Sequence, residues 1–204
     1  MGLISNGSTI FDNGSMASGF GGSMIFIKKL TASSSATLSF VDGSDGVVLD
    51  DTYKEYYITF NNIHPQTDSV DLGFNMSTDG GLNYNVTKTS TFFLALHSEA
   101  DSTNLTYVAG SDLAQSTADQ LTGAGNLGAD NDQSISGYLH LFNPSSTTFV
   151  KHFIWDTNLS EFRDRVHTNH IAGYGNTTSA VDAIRFRMTS GNIDAGDICL
   201  YGIA

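Results

Sequence analysis

Residues 180–203 read AVDAIRFRMTSGNIDAGDICLYGI, and the fold is decided there. Ile184, Phe186 and Met188 alternate with Arg185, Arg187 and Thr189. That is the period of two of a strand with one buried and one wetted face. A Ser-Gly-Asn connection and an Asp-Ala-Gly turn lead to a second run, Ile198-Cys199-Leu200-Tyr201. The stretch is expected to form a closing strand pair, with Ile184, Phe186, Met188, Ile198 and Leu200 buried. Such strands need partners, and earlier segments must supply them.

Working outward, candidate partners recur at short intervals. Met24–Ile27 and Ala36–Val41 are apolar runs joined by a Ser-rich link, and Val47–Leu49 is a third, short run. In YKEYYITFNNI, residues 53–63, Tyr56, Ile58 and Phe60 share one face and Tyr57 and Thr59 the other, and Pro65 ends the run for want of an amide proton. Asp71–Met76 alternates, and Asp79-Gly80-Gly81 predicts a hairpin into Leu82–Val86. Thr91–His97, TFFLALH, is apolar on both faces and reads as a central strand covered on both sides, or one facing the core and a neighbouring subunit. Further strands are expected at Ser136–Phe142 and Thr148–Trp155.

Between them, Ser98–Gln133 is weakly patterned, with one helical turn expected near Leu113–Leu121, and so long an insert often carries an interaction surface. About ten to twelve short strands with at most one helical turn predict an all-β fold: an antiparallel two-sheet sandwich, jelly-roll-like, over residues 24–204. Residues 1–23, with Asn-Gly at 6–7 and 13–14 and Gly-Phe-Gly-Gly at 19–22, read as an extended N-terminal docking arm anchored by Leu3, Ile4, Ile10 and Phe11.

Composition narrows the function. The 204 residues carry 21 acidic and 9 basic side chains, a formal charge of −12, and no basic run longer than two. A phosphate backbone needs clustered Lys and Arg, so no nucleic-acid partner is expected. No apolar run approaches the roughly 20 residues of a membrane span, and the start of the chain has no signal-peptide pattern. The single cysteine, Cys199, has no partner for an intrachain disulfide and is expected to be buried as a free thiol.

The search for chemistry yields little. His167 and His170, an odd number of residues apart on an extended chain, point to opposite faces and do not share a metal. His152 with Asp156 and Glu161 lacks a nucleophile on a strained turn. The pairs Asp50/Asp51 and Asp130/Asp132 sit in turn contexts that favour Asp for local hydrogen bonds. The expectation is therefore no catalytic residues, no metal and no cofactor. Tyr84, Tyr107, Trp155 and Tyr174, near polar loops, are the aromatics placed to stack on a ligand.

Six segments carry a family resemblance: MGLISNGSTIFD, KKLTASSSATLSFVDG, EYYITFNNIHPQTD, STDGGLNYNVTKTSTFF, LFNPSSTTFVKHF and NTTSAVDAIRFRMTSGNIDAGDICLYGI. They resemble the small β-rich virion structural proteins of tailed bacteriophages, marine ones especially. The resemblance implies a non-enzymatic component of the virion. Together with the arm and the two-sided strand, it leads to a self-assembling protein, a homotrimer that joins capsid or tail proteins through the arm as a decoration or fibre-type component. The alternative is a tail-fibre module that recognises host-surface carbohydrate through the loop aromatics.

Overall fold

The computed structural model of the protein describes residues 3–5, 8–12, 15–16, 23–123 and 126–204, and of the side chains before residue 23 only Ile4. In chain order the strands are β1 (Leu3–Ser5), β2 (Ser8–Asp12), β3 (Ser15–Met16), β4 (Met24–Thr31), β5 (Leu38–Val41), β6 (Glu55–Pro65), β7 (Leu72–Ser77) and β8 (Lys88–Ser98). They continue with β9 (Thr103–Tyr107), β10 (Gln120–Leu121), β11 (Ile135–Phe142), β12 (Lys151–Glu161), β13 (Arg165–Gly175), β14 (Ala183–Met188) and β15 (Ile193–Ile203). Two antiparallel sheets carry the core. One has eight strands in the order β4-β15-β6-β11-β12-β13-β8-β9, and the other has four, β10-β7-β14-β5. The expected two-sheet sandwich is the observed architecture.

The chain steps between the sheets in a regular way. β4 lies in the large sheet, β5 in the small, β6 in the large, β7 and β10 in the small, β11 in the large, β14 in the small and β15 in the large. The hairpins β8–β9 and β12–β13 are the exceptions, and both extend the large sheet beyond β11. β14 and β15 therefore do not pair with each other. β14 pairs with β5 and β7, while β15 lies between β4 and β6. The expectation of a closing strand pair is corrected on this point, because two adjacent apolar faces can meet across a core as well as along a ladder. Ile184, Phe186, Met188, Ile198 and Leu200 are all buried as expected.

Aromatic rings join the sheets. Phe74 and Phe186 from the small sheet meet Phe60, Phe153 and Trp155 from the large one, with centroids 5.1 Å apart for Phe74–Trp155, Phe74–Phe153 and Phe60–Phe186. These contacts are close to perpendicular, the edge-to-face geometry that suits ring quadrupoles. A bulge in the β15–β6 ladder explains Gly196. Its φ is +111°, and an added Cβ would stand 2.4 Å from the Asn62 carbonyl oxygen, so both backbone and space require glycine.

Several expectations fail locally. No strand forms at Val47–Leu49 or Leu82–Val86, both of which are loops. The side chains of Asp42, Asp50 and Asp79 accept backbone amides at Leu49, Thr52 and Asn83 there, so local hydrogen bonds replace a ladder. No helical turn forms at 113–121, where β10 joins the small sheet. β8 is covered on one face only: Phe92 and Leu94 are buried while Phe93 is 47% exposed.

The weakly patterned insert is the lid of the sandwich's wide end. Residues 108–123, with 126 and 127, cover the inner face of β8 and β13 through polar contacts. Ser90 donates to Gln120 Oε1 at 2.5 Å, Asn169 donates to the Thr122 carbonyl at 2.7 Å, and Lys88 and Ser116 exchange backbone bonds.

The strands β1, β2 and β3 do not lie along a single extended arm: they form a three-stranded antiparallel sheet of their own. Ile4 is 62% exposed. The side chains of Leu3, Ile10 and Phe11, and Asn6-Gly7, Asn13-Gly14 and Gly19–Gly22, lie outside the described residues.

The aromatic cluster makes a quantitative test. Trp155→Ala is expected to cost about 3–5 kcal/mol in urea unfolding. Trp155→Phe should cost much less, since Trp155 Nε1 has no hydrogen-bond partner among the described residues to lose.

Candidate functional surface

Each strand of the large sheet turns one set of side chains inward and the other outward, and the register fixes which outward residues are neighbours. One row crosses all eight strands: Lys29, Cys199, Thr59, Tyr138, Asp156, His170, Phe93 and Tyr107. The next row holds Tyr201, Tyr57, His140 and Ile154, with Phe26 beside Tyr201. An outward sheet face is ordinarily polar. This one is rich in aromatic and imidazole groups.

Its groups are organised by contact. Tyr57 stacks on Tyr138 at 4.9 Å, and Phe26 meets Tyr201 edge-on at 5.7 Å. Tyr138 Oη donates to Asp156 Oδ2 at 2.7 Å, and the other carboxylate oxygen is in short contact with His170 Nδ1. The hydrogen bond to Asp156, reinforced by burial, pushes the Tyr138 hydroxyl up to about 12. His140 Nε2 lies 2.9 Å from Glu55 Oε2. At the far edge Phe93 meets Tyr107 edge-on at 5.5 Å, and Tyr107 Oη donates to Asp112. Leu105, on the same edge strand, is 77% exposed. Cys199 is half-buried on this face, not in the core as expected.

The sequence-predicted aromatics separate. Tyr107 and Tyr174 lie on this face, Tyr174 beside His152. Tyr84 is elsewhere, in the loop after β7, with the Arg185 guanidinium 4.5 Å over its ring. Trp155 has no exposed surface: it faces inward from β12 and packs the core, which corrects its placement among the ligand-facing residues. Sequence reasoning misses Tyr57, Tyr138, His140 and His170 as site residues. Their alternation is legible, but the register that lines them up across strands is not.

A second feature lies at the turn of the β12–β13 hairpin. A cavity of about 570 Å³ is lined by His97, Glu99, Asp101, Asp130, Asp132 and Asp164. Glu161, fully buried, closes its base and is bound by Arg163 and by both forks of Arg165 at 2.9 Å. Burial would raise the Glu161 carboxyl, but the arginine hydrogen bonds outweigh it and hold it below its usual range. Among the described residues no three His, Cys, Asp or Glu side chains are grouped as metal ligands would be. Asp50 accepts the Thr52 amide, as the turn reading expects. His167 and His170 do face opposite ways, 3% and about half exposed.

The chain matches no family model, no curated protein and no solved structure. What it does must therefore be argued from its own surfaces.

One interior group gives a pH test. Neither ring nitrogen of His167 has a hydrogen-bond partner among the described residues. Burial, assisted by Arg165 and Arg163 and opposed by Glu161, lowers its pKa below 6.5. The unfolded chain thus binds the proton first, and stability present above pH 6.5 is lost as pH falls toward the folded value. Urea midpoints compared between pH 7 and pH 5 should fall further for the native protein than for His167→Leu.

Proposed function

We infer that this protein is an oligomeric structural component of a bacteriophage virion, a homotrimer built on a jelly-roll sandwich, and that the outward face of its large sheet is the surface between copies. The single observation that carries this reading is that face: two adjacent rows that gather Phe26, Tyr57, Phe93, Tyr107, Tyr138, His140, His170 and Tyr201, with Lys29 and Asp156 as their charged members. Interface cores are enriched in Tyr, Phe and Trp and depleted in charge. The strand order supports the jelly roll. With the two extending hairpins set aside, the chain alternates between sheets and leaves four strands in each, β4-β15-β6-β11 facing β5-β14-β7-β10. The resemblance of the segments at residues 28–43, 141–153 and 176–203 to phage virion proteins supplies the setting. The small N-terminal sheet β1–β3 is the element assigned to attachment on capsid or tail.

A second reading has its own observation. Tyr107, Tyr174 and the Asp156–His170 pair share the outward face, and rings beside hydrogen-bonding side chains are what a carbohydrate platform needs.

Sedimentation separates the two. The native protein is expected as a trimer, and Tyr57→Glu combined with Tyr201→Glu should yield folded monomers. A native monomer that binds host-surface polysaccharide through Tyr107 would replace the first reading with the second. Deleting residues 1–22 should leave the trimer intact and abolish incorporation into particles.

A further inference from the structure

Lys88 opens β8 in the large sheet, Asn75 sits within β7 in the small one, and the covering segment brings Asp119 beside them. Lys88 is wholly buried and Asn75 is 1% exposed, while the Asp119 side chain is 10% exposed. Lys88 Nζ donates to Asn75 Oδ1 at 2.6 Å and to the Val86 carbonyl at 2.8 Å. Both acceptors are neutral, an unusual setting for a buried ammonium.

The amide of Asn75 is held at every atom. Its Oδ1 also accepts the Met76 backbone N–H at 2.9 Å. Its Nδ2 donates to Asp119 Oδ1 at 3.0 Å and to the Thr117 carbonyl at 2.9 Å. Asp119 is bound by Arg187 at 2.5 Å and by Arg185 at 3.5 Å. A nucleophile, a polarised carbonyl and a carboxylate on the leaving nitrogen are thus assembled in a site away from water, where orientation counts most.

We propose that Lys88 and Asn75 are a self-cross-linking pair, in which Lys88 Nζ displaces the side-chain nitrogen of Asn75 to form an amide bond joining the two sheets, with Asp119 carrying the proton. The neutral Lys88 amine adds to Asn75 Cγ, and the Met76 N–H stabilises the oxyanion that develops on Oδ1. Asp119 takes the proton released from Nζ and returns it to Nδ2. The Cγ–Nδ2 bond then breaks and ammonia leaves. One amide is exchanged for another, nothing is oxidised or reduced, and no co-reactant is needed.

The electrostatics agree. Burial pushes the Lys88 amine down to about 8, which supplies the neutral nucleophile near physiological pH. Burial would raise Asp119, but hydrogen bonds from Arg187 and Asn75 outweigh it and hold its pKa below the usual carboxylate range, so it stands ionised beside the Asn75 amide.

Intact mass of the purified full chain tests this directly. The expected mass is that of the sequence less one ammonia. Cleavage on the amino side of aspartates after denaturation, which cuts at Asp79, should leave residues 71–78 and 79–100 joined. Lys88→Arg and Asn75→Ala should each restore the full mass, and a folded Asp119→Ala should cross-link far more slowly. A folded native protein that keeps its full mass after prolonged incubation at pH about 8 overturns the proposal. So does a loss of ammonia in which the two fragments separate, the signature of an imide at Asn75. An unchanged rate in Asp119→Ala overturns the role given to Asp119.

Discussion

The contact on which the rest of the structure depends is the ring cluster between the sheets, where Phe74 and Phe186 interlock with Phe60, Phe153 and Trp155. Small strands of four to six residues cannot hold a sheet in water by their ladders alone, and β5, β7 and β14 are of that length. They persist because each presents large apolar side chains to a partner sheet twice as wide. Edge-to-face geometry adds direction to that burial, so the cluster sets the spacing and relative position of the layers as well as their affinity.

The mismatch in width shapes everything else. Four strands cannot cover eight, and the uncovered end of the large sheet is closed by the segment from Val108 to Gly123. It does so with Ser111, Gln120, Thr122 and backbone groups, facing Ser90, Thr157 and Asn169 on the sheet. Most of this polar layer finds partners, as it must where a buried unpaired group costs about 1–3 kcal/mol, although Asn169 Oδ1 has none among the described residues. Lys151 shows the same discipline. Buried near the end of the loop 143–150, its ammonium donates to the carbonyls of Ser146, Phe149 and Thr177 and ties two loops together.

These two kinds of contact differ in the trace they leave in the sequence. Alternation of apolar and polar residues is a direct imprint of a covered sheet, so β6, β11, β14 and β15 and their buried residues are legible in the residue pattern itself. The closing segment is not, because a lid held by hydrogen bonds leaves no hydrophobic period to detect. Nor is the outward face: Tyr57, Tyr138 and His170 lie on three different strands, far apart in the chain, and only the register makes them neighbours. Trp155 reads as a surface ring for a related reason. Its neighbours Ile154 and Asp156 are half-buried and a polar stretch follows, so its surroundings look loop-like and mask the inward parity it shares with Phe153 and Thr157.

The position of β15 between β4 and β6 also governs how the molecule must come into being. Thr31 and its ladder partner Asp197 are separated by 166 residues, so β4 emerges from the ribosome long before its sheet neighbour β15 exists. Until then its backbone edge and the apolar flank of β6 are open to solvent and to other nascent chains. A sheet closed by so distant a strand cannot be assembled piecemeal, and loop-closure entropy is paid before its reward arrives. Folding should therefore be slow, and crowded synthesis favours mispairing between chains at this edge.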